Sequence, residues 1–215
     1  MFHDRADAAK QLAEKLSDYK NDKDALIVAI PRGGVVIGAV LARELHLPLD
    51  VILTKKIGHP FQPEFAIGVV DLTHEVIDQA IIERENIRPE YIRGEIARIR
   101  ELLRHRYETY RGSRAPVPLD GKTAILADDG IATGNTMIAA IRLARGERAR
   151  KIVVAVPVAP GDTLDRLRRL ADEVVCALEP EEFMAIGQFY DSFEQVGDEE
   201  AVHLLKETAY HGTPR

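Results

Sequence analysis

Four short apolar runs constrain this chain more than anything else in it: ALIVAI (25–30), KTAILAD (122–128), KIVVAVP (151–157) and EVVCAL (173–178). Each is far shorter than the roughly 20 apolar residues that cross a bilayer. Consecutive apolar residues leave no polar face, so such a run fits a strand buried on both sides. Helical periodicity fills the gaps. Residues 34–46 carry Val36, Ile37, Val40 and Leu41 on one side, and 135–145 and 162–170 also read as helices. This alternation predicts an α/β fold with a central, mostly parallel sheet and flanking helices. Parallel neighbours need crossover helices, which are expected to be right-handed.

The other segments are read in the same way. Residues 5–18 place Ala9, Leu12, Ala13 and Leu16 at helical spacing, and 89–110 form a long helix striped by Ile92, Ile96, Ile99, Leu103 and Tyr110. LDVILTKKI (49–57) reads as one further strand. Residues 58–79 are broken by Gly58, Pro60, Pro63 and Gly68, and AIGVVD and HEVID predict a hairpin or loose ribbon. RGSRAPVPLDG is a Pro/Gly linker. The aromatic-rich tail after residue 178 ends in a short amphipathic helix.

With 215 residues, 46% hydrophobic and 30% charged, the chain suits one globular domain with a good-sized core. Its one cysteine, Cys176, rules out a disulfide framework or cysteine metal cluster within a monomer. MFHDRADAAKQLAEKL has no apolar signal core, so a cytoplasmic location is expected, with no membrane partner. The net charge of −6 argues against a nucleic-acid partner. The Arg-rich helix 89–111 does not reverse that. Glu90/Arg93, Glu95/Arg98 and Glu101/Arg104 sit three apart and neutralise one another.

Ligands of open parallel sheets bind beyond the carboxyl ends of the strands. PRGGVVIG (31–38), TKKIGHP (54–60), ADDGIATGNT (127–136) and PVAPGDT (157–163) occupy those places. A Gly-rich turn entering a helix offers free backbone N–H groups and the positive end of the helix dipole. GIATGNT is thus a candidate monophosphate nest, with Thr133 and Thr136 as added donors. The alternative is an ordinary helix start capped by Thr133 or Asn135. GGVVIG lacks dinucleotide-fold spacing and GIATGNT lacks a P-loop ending, which sets NAD binding and ATP hydrolysis aside. Asp128 and Asp129 repel, and packing them together raises the pKa of one. A ligand with vicinal hydroxyls beside a phosphate would use both, and ribose 5-phosphate has that shape.

ILADDGIATGNT (125–136) resembles the phosphoribosyl-pyrophosphate (PRPP) motif of the type I phosphoribosyltransferases: an apolar strand, two acidic residues, then a loop containing T-G-x-T. By element order the resemblance covers most of 24–180. It implies that Asp128 and Asp129 hold the ribose hydroxyls. Gly130, Ile131, Ala132, Thr133, Gly134, Asn135 and Thr136 would hold the 5-phosphate. PRGGVVIG is similar to the family's pyrophosphate loop, which often contains a non-proline cis peptide, with Arg32, Gly33 and Gly34 on the diphosphate. Asp128, Asp129 and Arg32 are the expected catalytic residues. Lys55 and Lys56 would contact phosphate oxygens or leaving pyrophosphate, just before a closing loop at about 58–79. No role falls to His59.

The resemblance also implies magnesium, carried by PRPP and touching Asp128 and Asp129 at most, and a nucleobase as second substrate. The domain would span 1–215, with its core at about 24–178 and a small C-terminal hood at about 180–195 followed by the final helix. In the hood, Phe183, Met184, Phe189, Tyr190 and Phe193 either stack on a base or pack the hood onto the sheet. A homo-oligomer is compatible with the pattern. The family's branch that acts on 6-oxopurines has an Asp where this chain has Ala132, which disfavours hypoxanthine–guanine activity. Some members bind PRPP only as regulators. The F-x-D-R start and the IGQFYDSFEQV tail are similar to bacterial phosphoribosyltransferases of unassigned substrate.

Overall fold

The computed structural model describes residues 1–63, 65–112 and 115–208. Strands β1 (Ala25–Ala29), β2 (Leu49–Val51), β6 (Thr123–Ala127), β7 (Lys151–Val158) and β8 (Glu173–Leu178) form one sheet in the order β2-β1-β6-β7-β8. Every pairing in it is parallel. Helices α2 (Gly33–Leu45), α5 (Asn135–Gly146) and α6 (Gly161–Arg168) make the crossovers. The chain moves outward from β1 to β2, then crosses to β6 and moves the other way. β1 and β6 therefore flank the switch point, where the two loop mouths open side by side.

Burial explains why the strand sequences lack polar alternation. Ile27, Ala29, Ile125, Ala127, Val153 and Ala155 join one core, with residues of α1 (Arg5–Lys15), α2, α4 (Pro89–Arg111) and α7 (Asp198–Thr208). Leu26, Val28, Ala124, Leu126, Val154 and Val156 join the other, with α5 and α6. Successive residues point to opposite faces and both faces are covered, so both positions are apolar. The stripe on α4 is also as expected, with Ile99, Leu103 and Tyr110 fully covered and Ile92 and Ile96 half-buried at its outer end.

The expected single strand over 49–57 is two strands in two sheets. β2 ends at Val51, and β3 (Lys55–Gly58) pairs antiparallel with β4 (Ala66–Val70), which pairs with β5 (Glu75–Ile77). The break comes from contacts distant in sequence. Leu53 N–H donates to the Tyr107 hydroxyl of α4 at 2.7 Å instead of extending the ladder. Burial of that hydroxyl pushes its pKa up to about 12. One turn on, Arg111 donates through Nε to Asp50 at 2.7 Å and through Nη2 to the Val51 carbonyl at 2.9 Å, and stacks over the Tyr107 ring. The other Asp50 oxygen accepts from Val117 N–H. The hairpin expected within 58–79 is β4–β5. A short helix, α3 (Gln79–Arg84), follows it where the sequence showed no signal. Asp78 caps α3 by accepting from Ile81 N–H. Part of the 111–121 linker, residues 113 and 114, lies outside the described residues. No described helix is long and apolar enough to cross a membrane.

The three Glu/Arg pairs spaced along α4 all close as ion pairs. They lie on solvent-exposed turns and contribute little to stability. The Asp50–Arg111 pair is different, since both side chains are largely buried. Asp50→Ala strands a guanidinium and a backbone N–H, and is expected to cost roughly 3 kcal/mol in urea unfolding. A loss below about 1 kcal/mol would show that the knot does not hold the strand break.

Candidate active site

The site is built where β1 and β6 end. The peptide bond between Pro31 and Arg32 is cis, in keeping with the resemblance, and α2 starts one residue later. Arg32 is exposed. Gly33 and Gly34 lie against the acidic pair. A Cβ on Gly33 would sit 1.8 Å from Asp129 Oδ2. One on Gly34 would sit 2.7 Å from the Ala127 carbonyl oxygen and 3.1 Å from Asp128 Oδ1. The two glycines thus serve close approach: any side chain here would push the two strand-end loops apart.

Asp128 accepts the Asp129 backbone N–H through Oδ1 at 2.9 Å. Its carboxyl is held well above the usual carboxylate range, first by burial and second by the neighbouring Asp129 charge. Asp129 Oδ2 accepts from Arg5 Nε at 2.8 Å. One carboxylate of the pair is therefore neutralised by a cation, and the other favours its proton.

After the pair, the loop is pinned from behind and open in front. Ile131 is buried and its N–H donates to the Val158 carbonyl at 2.9 Å. The Thr163 hydroxyl donates to the Ala132 carbonyl at 2.9 Å. Gly134 takes φ of 75°, which favours glycine, and begins α5 with no side-chain capping bond. Neither Thr133 nor Asn135 is the cap. Thr133, Asn135 and Thr136 are exposed, and the helix presents its first N–H groups outward beside them. Gly130 packs against Ile186 of the tail segment.

The lysines separate. Alternation along β3 sends Lys56 to a cleft beside Asn135 and Thr136. Lys55 faces α4, where its charge helps hold the Glu95 carboxyl below its ordinary range, behind the Arg98 bond that dominates.

Arg5 escaped the sequence reading of roles, and Tyr190 and Phe193, expected only in the hood, join it at the acidic pair. Arg5 reaches Asp129 from α1, donates to the Glu194 carbonyl at 2.7 Å, and lies 3.9 Å over the Phe193 ring. Tyr190 is buried and its hydroxyl donates to the Asp129 carbonyl at 2.6 Å. Phe2 stacks on Tyr190, and its N–H donates to the Phe189 carbonyl. The F-x-D-R start and the FYDSFEQV tail are thus one structure closed over Asp129. Both were visible as sequence pieces, but nothing in either says they meet. Of the hood side chains, Tyr190 is core, Phe183 and Phe189 pair half-buried, Phe193 lies under Arg5, and Met184 is 92% exposed. Only Met184 is left wholly available.

Asp128 favours its proton in the fold and loses it in the unfolded chain at ordinary carboxylate pH. Its folded pKa is therefore above the unfolded one, and stability falls as pH rises from the ordinary range through the raised one. Asp128→Asn should raise the melting temperature at about pH 8, with the gain shrinking towards about pH 4. Thermal melts of both proteins across pH read this directly. A variant that melts lower than wild type at the alkaline end contradicts it.

The phosphoribosyl transferase domain profile matches residues 2–192. Over 206 residues the chain is 38% identical to two Mycobacterium tuberculosis proteins named "Putative phosphoribosyl transferase", one in strain H37Rv and one in strain CDC 1551. The match covers 95% of this chain and 46% of each of those, so the chain spans about half the length of the curated relatives it matches. The crystal structure of TT1426 from Thermus thermophilus has 38% identity and a TM-score of 0.87, covering 97% of this chain and 99% of that one. With a family match over nearly its whole length and the motif seated at the sheet's switch point, this chain belongs to the phosphoribosyl transferase domain family.

Proposed function

We propose that this chain is a phosphoribosyltransferase that binds PRPP with magnesium and transfers its phosphoribosyl group to a nitrogenous base. The observation that carries this is the packing of Gly33 and Gly34 against Asp128 and Asp129, next to a helix start without a side-chain cap. That contact brings a diphosphate loop, a diol acceptor pair and a monophosphate nest within one ligand's reach. In this reading Asp128 and Asp129 accept the ribose 2- and 3-hydroxyls. The backbone from Gly130 to Thr136 takes the 5-phosphate, with the Thr133 and Thr136 hydroxyls. Arg32 and the backbone at Gly33 and Gly34 take the pyrophosphate. Lys56 adds positive charge beside the nest. Lys55, on the other face of β3 beside Glu95, takes no part in this reading.

A ring nitrogen of the acceptor attacks C1, the bond from C1 to the pyrophosphate oxygen breaks, and the acceptor's displaced proton leaves to water. The transition state resembles an oxocarbenium ion, as in glycoside chemistry. Asp128 and Asp129 are hard oxygen donors of the kind magnesium takes one or two of, alongside phosphates and water. When bound, magnesium would supply the charge that offsets the leaving pyrophosphate. The β4–β5 segment within 58–79 closes over the centre and excludes water, whose attack would waste PRPP. Residues 180–195 form the hood over the acceptor. The whole chain acts as one such unit in the cytoplasm, with no nucleic-acid or membrane partner.

The second reading is a PRPP-binding regulator. It draws on Ala132, which offers no acid to the base, and on Arg5, which already occupies one oxygen of Asp129.

Two measurements test these readings. PRPP titrated calorimetrically with magnesium should bind the wild type. The Asp128→Asn/Asp129→Asn double variant should lose affinity by about a hundredfold, the scale of two charge-assisted hydrogen bonds. Equal affinity in the double variant would sink the site. Incubation with a panel of nucleobases then reads pyrophosphate release. Release with one base names the acceptor, and tight binding with no release from any base favours the regulator.

A further inference from the structure

A cleft of about 510 Å³ opens where the small sheet faces α5 and α6. Its volume falls among those of small-ligand pockets. Three cations line it: Lys56 from β3, Arg142 from α5 and Arg166 from α6, with Asp78 the one carboxylate. The chain as a whole carries −6, so this is a local reversal of sign. Thr54 and Thr136 add hydroxyls to the lining, and Val69, Ile138 and Ala139 supply an apolar wall.

The arginines on α5 and α6 divide by direction. Arg145 pairs with Asp172 at 2.8 Å, and Arg168 with both Asp165 and Glu179. Arg148, just beyond α5, pairs with Asp120. Arg142 and Arg166 face the cleft, and among the described residues neither meets a carboxylate. Arg145, Arg148 and Arg168 have found acidic partners, while Arg142 and Arg166 in the cleft lining have not. Arg142 stands six residues past Thr136 on the same helix, about 9 Å along its axis. It is therefore well removed from the helix start assigned to the 5-phosphate.

The geometry points to a second ligand site, in which Arg142 and Arg166 hold the phosphate of a nucleoside monophosphate while its base lies on the Val69–Ile138–Ala139 wall. Two guanidinium forks suit a dianionic phosphate, which they bind in bidentate fashion. Lys56 adds charge at the mouth nearer Thr136. Asp78, at the end of β5, offers an acceptor to a base N–H or a ribose hydroxyl. A negative group on the ligand suits the two guanidiniums, and an apolar, flat group suits the opposite wall. This site shares Lys56, Asn135 and Thr136 at its mouth with the residues given to PRPP, and it does not depend on the PRPP reading.

The test is calorimetric titration of the full chain with AMP and with GMP, alone and with saturating PRPP and magnesium. At least one nucleotide should bind the wild type, with affinity that falls as salt rises, and should still bind when PRPP is present. Arg142→Ala/Arg166→Ala should weaken that binding by about tenfold or more. The same variant should bind PRPP within about twofold of wild type, a shift below the size of one lost hydrogen bond. Arg145→Ala, which breaks only the pair with Asp172, should leave nucleotide binding unchanged. The site is overturned if neither nucleotide binds saturably, if PRPP displaces the nucleotide fully, or if the double variant titrates like wild type. It is equally overturned if the double variant loses PRPP to the same degree, because the arginines then belong to the first site. Failure of PRPP to bind at all would count against the proposed function and leave the nucleotide arm readable.

Discussion

Two missing Cβ atoms allow everything else at this site. The ends of β1 and β6 can approach only because residues 33 and 34 carry no side chain. Asp129 occupies the volume a side chain at 33 would fill, and the backbone at Ala127 and Asp128 crowds 34. Sheet topology brings the two loops to neighbouring strand ends, and the glycines let them touch. Arg5, Tyr190 and the tail then close over a surface that is already assembled.

The cost of that assembly sits on Asp128. Burial and a like charge in the next residue disfavour its ionised form, while one backbone N–H and the more distant Arg5 favour it. A structure selected only for stability would not place a second carboxylate here. That the chain keeps one is the kind of local conflict that marks a functional position. The Arg5–Asp129 pair reduces the conflict from the other side by neutralising the second charge.

The sheet was legible in the sequence because each of its long strands is apolar at every position after the first, a direct result of cover on both faces. The site loops were legible because glycines, hydroxyls and paired acids have few other reasons to fall together after a strand. What stayed hidden depends on contacts between distant residues. The end of β2 is set by Tyr107 and Arg111, more than fifty residues downstream, and no feature of LDVILTKKI announces it. The same holds for Arg5, which looks like any surface arginine in the first turn of a helix until Asp129 lies beside it. Lys55 and Lys56 are indistinguishable as a dipeptide, and the pairing of β3 sends them to opposite faces.

The closure of the first residues over Asp129 has a practical side. Phe2 is buried, its backbone pairs with the Phe189–Asp191 segment, and Arg5 is three residues further on. An affinity tag fused ahead of Met1 would join the chain one residue before this buried pairing. For this protein the placement of a tag is a structural choice, because the first residues are part of the cover over Asp129.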